Sequence, residues 1–299
     1  MLTRRELLAA GLVTSLTSCL TNSNPLIAAQ PDPNAHPIAV FTKPLQTMAV
    51  DELGKRLKSI GVQGLEATLR NGGQIEPDKL AAELPRFCET LAKHDQRVII
   101  ATSDVNKVDA AAEQYLKTLA KEKVPYLRMA YYRYDLKQPI LPQLDQFARH
   151  AKQLAQLCEA HGVTALYQNH AGAAYVGAGL WDLLRVLQDI APKHMSVAID
   201  LCHTTHELSE SWPAAYQALR DRIGAVFAKD FDWIDGKAVN VPLGKGRAKP
   251  FWEQLSRDGF TGPISLHMEH MDHRPHERLE ERWQATKLDV ETLKSWLSK

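Results

Sequence analysis

The chain has 299 residues, 44% hydrophobic and 24% charged, with 36 basic against 35 acidic side chains and a formal net charge of +1. That balance offers no basic stripe for nucleic acid and no acidic excess of the kind that keeps a chain unfolded. The four cysteines, Cys19, Cys88, Cys158 and Cys202, form no CxxC pair and no zinc-type spacing, so buried free thiols are expected.

Residues 1–29 read as an export signal. Arg4-Arg5 precede a moderately apolar run, Leu7 to Leu20, that is too short to span a bilayer as a mature helix. Thr3 to Leu8 resembles a twin-arginine signal, and Leu16-Thr17-Ser18-Cys19 resembles a lipobox, which makes Cys19 a candidate lipid anchor. Cleavage near Ala28-Ala29 is the rival reading, and an ordinary amphipathic helix is the plain one. Residues 30–36 are polar and proline-rich, as a linker would be. The expected location is therefore periplasmic, or membrane-anchored as a lipoprotein, with Cys19 the only route to a membrane.

From Pro37 onward, short apolar strands alternate with helical stretches. The first strand is expected at Ile38 to Lys43, with a helix over Val50 to Ile60, and the second at Gly64 to Arg70. Pro77 then opens a helix at a position where a missing N–H costs nothing. Arg97 to Thr102 is a β-branched strand, and Tyr126 to Tyr132 is the fourth. A helix over Leu141 to His161 repeats Leu144, Phe147, Ala151, Leu154, Ala155 and Cys158 with a helical period, and Gly162 caps it. Strands at Thr164 to Asn169, Met195 to Leu201, Ala225 to Asp230 and Pro263 to Glu269 complete the series. Their helices are expected at Trp181 to Ile190, from Pro213, at Phe251 to Asp258 and at Glu277 to Trp296.

Turns before the strands are short, while Asn71 to Glu76, Ala171 to Gly179, His203 to Trp212 and Asp232 to Lys249 are long polar stretches after them. Eight such units predict one α/β domain, a (β/α)8 TIM barrel over residues 37–299, with its functional groups at the carboxyl ends of the strands. A doubly wound sheet would call for a glycine fingerprint after the first strand, where Lys43-Pro44-Leu45-Gln46 stands. The final helix either closes the barrel or meets a second copy in a homo-oligomer.

Residues two apart share a strand face. Glu66, Thr68 and Arg70 therefore point together, as do Gln168 with His170, Phe227 with Lys229, and His267 with Glu269; Asp200 ends a strand with His203 just beyond. Carboxylates and imidazoles on neighbouring strands suit a divalent cation. Asp200, His267, Glu269 and the amide oxygen of Gln168 are the candidate ligands, for Mn, Mg, Co or Zn. A hydrogen-bonded polar plug with no metal is the alternative. Lys229 would hold an anionic intermediate or shuttle a proton, or else pair with Asp200 or Glu269. His203 would touch substrate or polarise a carbonyl, or else serve as a loop histidine capping the next helix.

The candidate substrate-binding residues are Glu66, Arg70, Asn169, His170, Tyr132 and Trp181. Arg70, Tyr132 and Arg133 would meet sugar hydroxyls or a phosphate, with rim salt bridges as the alternative. Trp181, Trp212 and Trp233 would stack on a sugar or anchor their loops. His270, His273 and His276 read as a solvated loop rather than a second metal site.

Taken in order and spacing, several segments make the chain similar to the xylose isomerase-like TIM barrel superfamily of sugar phosphate isomerases and epimerases. They are Phe41 to Leu45, Gly64 to Thr68, Tyr167 to Gly172, Ala198 to His203, Lys229-Asp230 and Gly262 to Glu269. The resemblance covers about Pro37 to His270. Ketose 3-epimerases of that superfamily hold a divalent metal through a glutamate on strand 5, an aspartate on strand 6, a histidine on strand 7 and a glutamate on strand 8. The two glutamates also move the proton on opposite faces of an enediolate.

By this resemblance Asp200 and His203, spaced Asp-x-x-His, are a metal ligand and a substrate contact. Gln168 stands at the strand 5 glutamate, where a neutral amide cannot act as a general base, and Phe227 stands at the strand 7 histidine. The strand 8 glutamate falls at His267 or at Glu269. The activity implied is a metal-assisted isomerisation or epimerisation of a sugar or keto-sugar. Glu269 or His267 would take the proton, and Lys229 and His203 would steady the enediolate oxygen. Elimination from a 3-keto-glycoside uses the same carbanion. A sugar-binding barrel without chemistry is the alternative of another class. Phosphodiester hydrolysis, as in endonuclease IV barrels, needs a richer set of His, Asp and Glu. The expected partner is a small carbohydrate, with no nucleic acid.

Overall fold

The computed structural model describes residues 36–273 and 276–298; the export signal, Cys19 and most of the expected linker lie outside the described residues. The strands in chain order are β1 (Ile38–Phe41), β2 (Gly64–Thr68), β3 (Arg97–Thr102), β4 (Tyr126–Arg128), β5 (Thr164–Gln168), β6 (Met195–Asp200), β7 (Ile223–Ala228), β8 (Asp230–Ile234), β9 (Lys237–Val241) and β10 (Ile264–Leu266). All but β8 and β9 pair in parallel and close a barrel in the order β1-β10-β7-β6-β5-β4-β3-β2, as expected from the sequence. Strands buried on both faces read as continuous apolar runs. Every residue of β1 and of β6 is accordingly buried. Ala39, Ile99, Ile100, Leu166, Ala198, Ala225 and Phe227 fill the lumen as a core of their own, so the barrel is a packed plug below its mouth.

The helices are α1 (Val50–Ser59), α2 (Leu80–Ala92), α3 (Ala110–Lys121), α4 (Ile140–His161), α5 (Trp181–Leu187), α6 (Leu201–Leu208), α7 (Trp212–Leu219), α8 (Lys249–Arg257) and α9 (Leu279–Leu297). Gly162 ends α4 at φ 66°, with its N–H donating to the carbonyls of Cys158 and Glu159, a left-handed cap that glycine adopts without steric cost. The last helix closes the wall of this same barrel. It buries Trp283, Val290, Leu293 and Trp296, and Arg282 Nε donates to the Pro44 carbonyl at 2.7 Å.

Three departures from the sequence reading shape the mouth. First, β4 stops at Arg128 and not at Tyr132. After the ladder bond from Met129 N to Leu166 O, the Ala130 N–H turns to the Val105 carbonyl. The strict alternation breaks there, and Tyr131 rather than Tyr132 faces the mouth. Second, the expected loop from His203 to Trp212 begins as helix α6. Asp200 caps it, its Oδ1 accepting from His203 N at 3.0 Å. Cys202, expected at a strand end, thus lies buried in the first turn of α6. Third, part of the loop from Asp232 to Lys249 is the β8–β9 hairpin. Asp235 and Gly236 turn it with positive φ of 51° and 73°, the signature of the two-residue hairpin turn.

Candidate active site

Polar side chains at the carboxyl end of the barrel form two tiers. The lower tier surrounds Glu66 on β2, which is fully buried. Its Oε1 accepts from Thr102 Oγ1 at 2.6 Å and Arg128 Nη1 at 2.8 Å; its Oε2 accepts from Ser265 Oγ at 2.5 Å and His267 Nε2 at 2.9 Å. The His267 ring stacks against Phe41 and Phe227 at 4.4 and 4.5 Å between centroids, and Arg128 lies 5.2 Å from each of those two rings. Burial works against the Glu66 charge, but His267 and Arg128 outweigh it and hold the carboxyl well below the usual range. Every acceptor is used, so this tier is a rigid floor.

A chain of contacts leads upward. Arg128 Nη2 donates to the Tyr131 hydroxyl at 2.8 Å, that hydroxyl donates to Gln168 Oε1, and Gln168 Nε2 donates to Asp200 Oδ2 at 2.7 Å. Asp200 opens the upper tier. Around the Lys229 ammonium stand His203 Nε2 at 2.8 Å, Glu269 Oε2 at 3.0 Å and Asp200 Oδ2 at 3.4 Å. Lys43 Nζ reaches Glu269 Oε1 from the outer side at 3.9 Å. Burial alone would favour a neutral Lys229, but Asp200 and Glu269 outweigh it and keep the ammonium charged beyond the ordinary lysine range. Burial pushes His203 down to about 3, so its imidazole is neutral and accepts from Lys229. Both carboxylates stay ionised against their burial, Asp200 through the Lys229 charge and the bond from His203 N, Glu269 through Lys229. His170 stacks on His203 at 3.9 Å between centroids and on Tyr175 at 4.4 Å, and its Nδ1 donates to the Ala171 carbonyl.

The family model described as xylose isomerase-like TIM barrel matches residues 34–295. The chain belongs to this family. No curated protein matches it. Among solved structures, it is similar to a xylose isomerase domain protein from Planctomyces limnophilus, with TM-score 0.66 and 12% identity over 87% of this chain and 97% of that one. It is also similar to 3-keto-D-glucoside 4-epimerase from E. coli, with TM-score 0.62 and 15% identity over 85% and 99% of the two chains. D-psicose 3-epimerase from Clostridium cellulolyticum gives TM-score 0.63 and 12% identity over 87% and 99%. At such identities the likeness is one of fold.

In this xylose isomerase-like barrel the residues singled out from the sequence separate into groups. Asp200, His203, Lys229 and Glu269 come together, with Gln168 and His170 at their edge. His267 and Glu66 do not join them, because each is tied to the other in the floor, out of reach of a base or binding role. Asn169 is buried and latches α6: its Oδ1 accepts from Asp200 N and its Nδ2 donates to Thr204. Tyr132 packs on Phe147 and donates to the Asn106 carbonyl, as a wall residue. Arg70 lines a cleft with Lys43 and Asp104, and Trp181 opens α5 with half its surface exposed. His270 pairs with Asp289 on α9 at 3.5 Å, away from the mouth. Sequence reasoning missed Arg128 and Tyr131, which link the tiers. A charged residue within the strand run Tyr126 to Arg128 was the available signal.

The ligand set expected for a divalent metal is tested by these contacts. Asp200, Cys202 and His203 do present one donor atom each within 4.8 Å of one another. Burial, however, pushes the Cys202 thiol up to about 12. His267 is committed to Glu66, and Gln168 turns its amide nitrogen rather than its oxygen toward Asp200. The Lys229 ammonium stands at the convergence of Asp200, His203 and Glu269. The four-residue set does not fit a metal centre with Lys229 seated there.

Proposed function

We propose that this protein moves a proton at a carbon next to a carbonyl in a small carbohydrate, interconverting sugars or keto-sugars through an enediolate. The observation that carries this reading is the buried Lys229 ammonium, fixed at the carboxyl end of the barrel among Asp200, His203 and Glu269. A preorganised cation beside a carboxylate is what such a reaction needs.

Glu269 is the base. Its side chain is 20% exposed against 6% for Lys229 and none for Asp200, so it is the cluster's open carboxylate. The C–H bond breaks, its electron pair forms the enediolate double bond, and the carbonyl oxygen gains a charge that takes a hydrogen bond from Lys229. Neutral His203, in contact with Lys229, relays a proton to or from that oxygen. Addition of a solvent proton to the opposite face, with the proton on Glu269 released to solvent, gives an epimer, and return from Glu269 to the neighbouring carbon gives an isomer. Loss of a β-substituent from a 3-keto-glycoside gives the elimination product, a variant favoured by the likeness to an epimerase of a 3-keto-glucoside. No step passes through a divalent metal. The export reading of Arg4-Arg5 and Leu7 to Leu20 adds that the substrate is an unphosphorylated carbohydrate met outside the cytoplasm.

The test is proton NMR of keto-sugars and 3-keto-glycosides in D2O with the full chain. Deuterium wash-in next to the carbonyl is expected, falling about a thousandfold in Glu269→Gln. Wash-in that persists in Glu269→Gln removes the assigned base. Binding of a sugar with no wash-in from any candidate favours a binding barrel instead.

A further inference from the structure

We propose that the Lys229 ammonium is the resident cation of this barrel mouth, seated where a divalent ion would otherwise sit, and that removing its side chain opens a divalent-cation site between Asp200, His203 and Glu269. The geometry points to this independently of any activity. Three ligand-type atoms from three separate elements converge on one nitrogen: Asp200 Oδ2 at the end of β6, His203 Nε2 in α6, and Glu269 Oε2 beyond β10. Lys229 itself follows β7 and is 6% exposed. The 2.8 and 3.0 Å contacts are hydrogen-bond lengths. A divalent ion at the same point would draw oxygen and nitrogen donors in to about 2.0–2.4 Å, and it cannot share that point with an ammonium.

Charge leads to the same conclusion. Asp200 and Glu269 contribute two negative charges, and Lys229 with Lys43 contributes two positive ones. Gln168, in contact with Asp200, is neutral. The buried cluster is balanced as it stands. A dication added beside Lys229 would leave it in excess positive charge in a low-dielectric interior. With Lys229 gone, the same carboxylates and Lys43 are left with one net negative charge, and a dication brings the cluster to +1, half the excess it would create beside the ammonium.

The full chain, purified without chelator from cells grown with Mn, Co and Zn, is expected to carry far less than one equivalent of any divalent metal by elemental analysis. Titration with Co2+ is expected to give no visible d–d band in the unsubstituted protein. In Lys229→Ala it should give one tight site, bound about a hundredfold more strongly than any site in the parent, and that site should be lost in Lys229→Ala/Asp200→Asn. Lys229→Met, which keeps the bulk without the charge, guards against collapse of the Ala variant and is expected to gain the same site. One equivalent of bound metal in the unsubstituted protein overturns the proposal, as does a Co2+ site there that matches the variants'. Cobalt binding needs no turnover, so a chain that exchanges no sugar proton yet behaves this way removes the functional reading and leaves this one standing.

Discussion

Glu66 shows how much one buried carboxylate organises. Four donors from three strand ends close on it, with Arg128 among them as a guanidinium cation. Glu66→Gln keeps the shape but leaves Arg128 a buried, unpaired charge. A loss of about 3–5 kcal/mol is expected, read as a fall of about 10 °C in Tm by calorimetry. An unchanged Tm would mean that the floor is not held by this ion pair. The same carboxyl links stability to pH. Its folded pKa is depressed, so its contribution is full above the unfolded value of about 4 and is lost as pH falls toward the folded value. Urea midpoints between pH 5 and pH 3 should therefore fall less steeply in Glu66→Gln than in the parent. Strand parity correctly put Glu66 inside the barrel, but parity carries no depth, and only the neighbours from β3, β4 and the β10 end set it below the site.

At the scale of elements, one carboxylate at the start of β8 ties down the loop that follows the β8–β9 hairpin. Asp230 Oδ1 accepts from the N–H groups of Phe231 and Ala248 at 2.9 Å each, and its Oδ2 accepts from those of Gly244 and Gly246 at 2.9 and 3.0 Å. A side chain at Gly246 would stand 2.1 Å from the Phe231 carbonyl, so glycine is needed for the closure. The hairpin in turn supplies Asn240, whose Nδ2 donates to the Glu269 carbonyl at 3.2 Å. Asp230→Ala is expected to cost about 2–4 kcal/mol and to raise amide exchange at residues 244–248 well before the barrel strands exchange. Unaltered protection in that segment would rule out the latch. The Asp235-Gly236 pair was a readable hairpin signal. Asp230 follows Lys229 directly, but successive residues face opposite sides of the chain, and its side chain serves the loop.

Across the whole molecule, α9 ties the end of the chain to the start of the barrel, and Asp289 on it carries a pH dependence of its own. Burial pushes its carboxyl up to about 7, against a bond from Leu243 N to its Oδ1 at 3.0 Å, and Asp230 pushes the same way as burial. Burial likewise lowers His270, 3.5 Å away, so that histidine stays neutral and gives no compensating charge. A raised folded pKa means stability that is complete below the unfolded value of about 4 and lost as pH rises through 7. Asp289→Asn keeps the acceptor for Leu243 and removes the ionisation. It should gain on the order of 3 kcal/mol relative to the parent between pH 5 and pH 8, measured as the difference in urea unfolding free energy. A difference that does not vary with pH would show that Asp289 titrates normally.

The alternation of apolar strand and amphipathic helix determined the barrel from sequence alone, because burial on both strand faces demands continuous apolar runs and short connections. It also pointed to the carboxyl ends of the strands, where Asp200, His203, Lys229 and Glu269 come together. Only the closed structure decided that Lys229 stands at their centre, that His267 and Glu66 bind each other in the floor, and that Tyr131 rather than Tyr132 faces the mouth. Those outcomes depend on ladder register, on where each strand loses its last neighbour and on the depth of each side chain in the lumen. Such distances are fixed between residues far apart in the chain, and no local pattern encodes them.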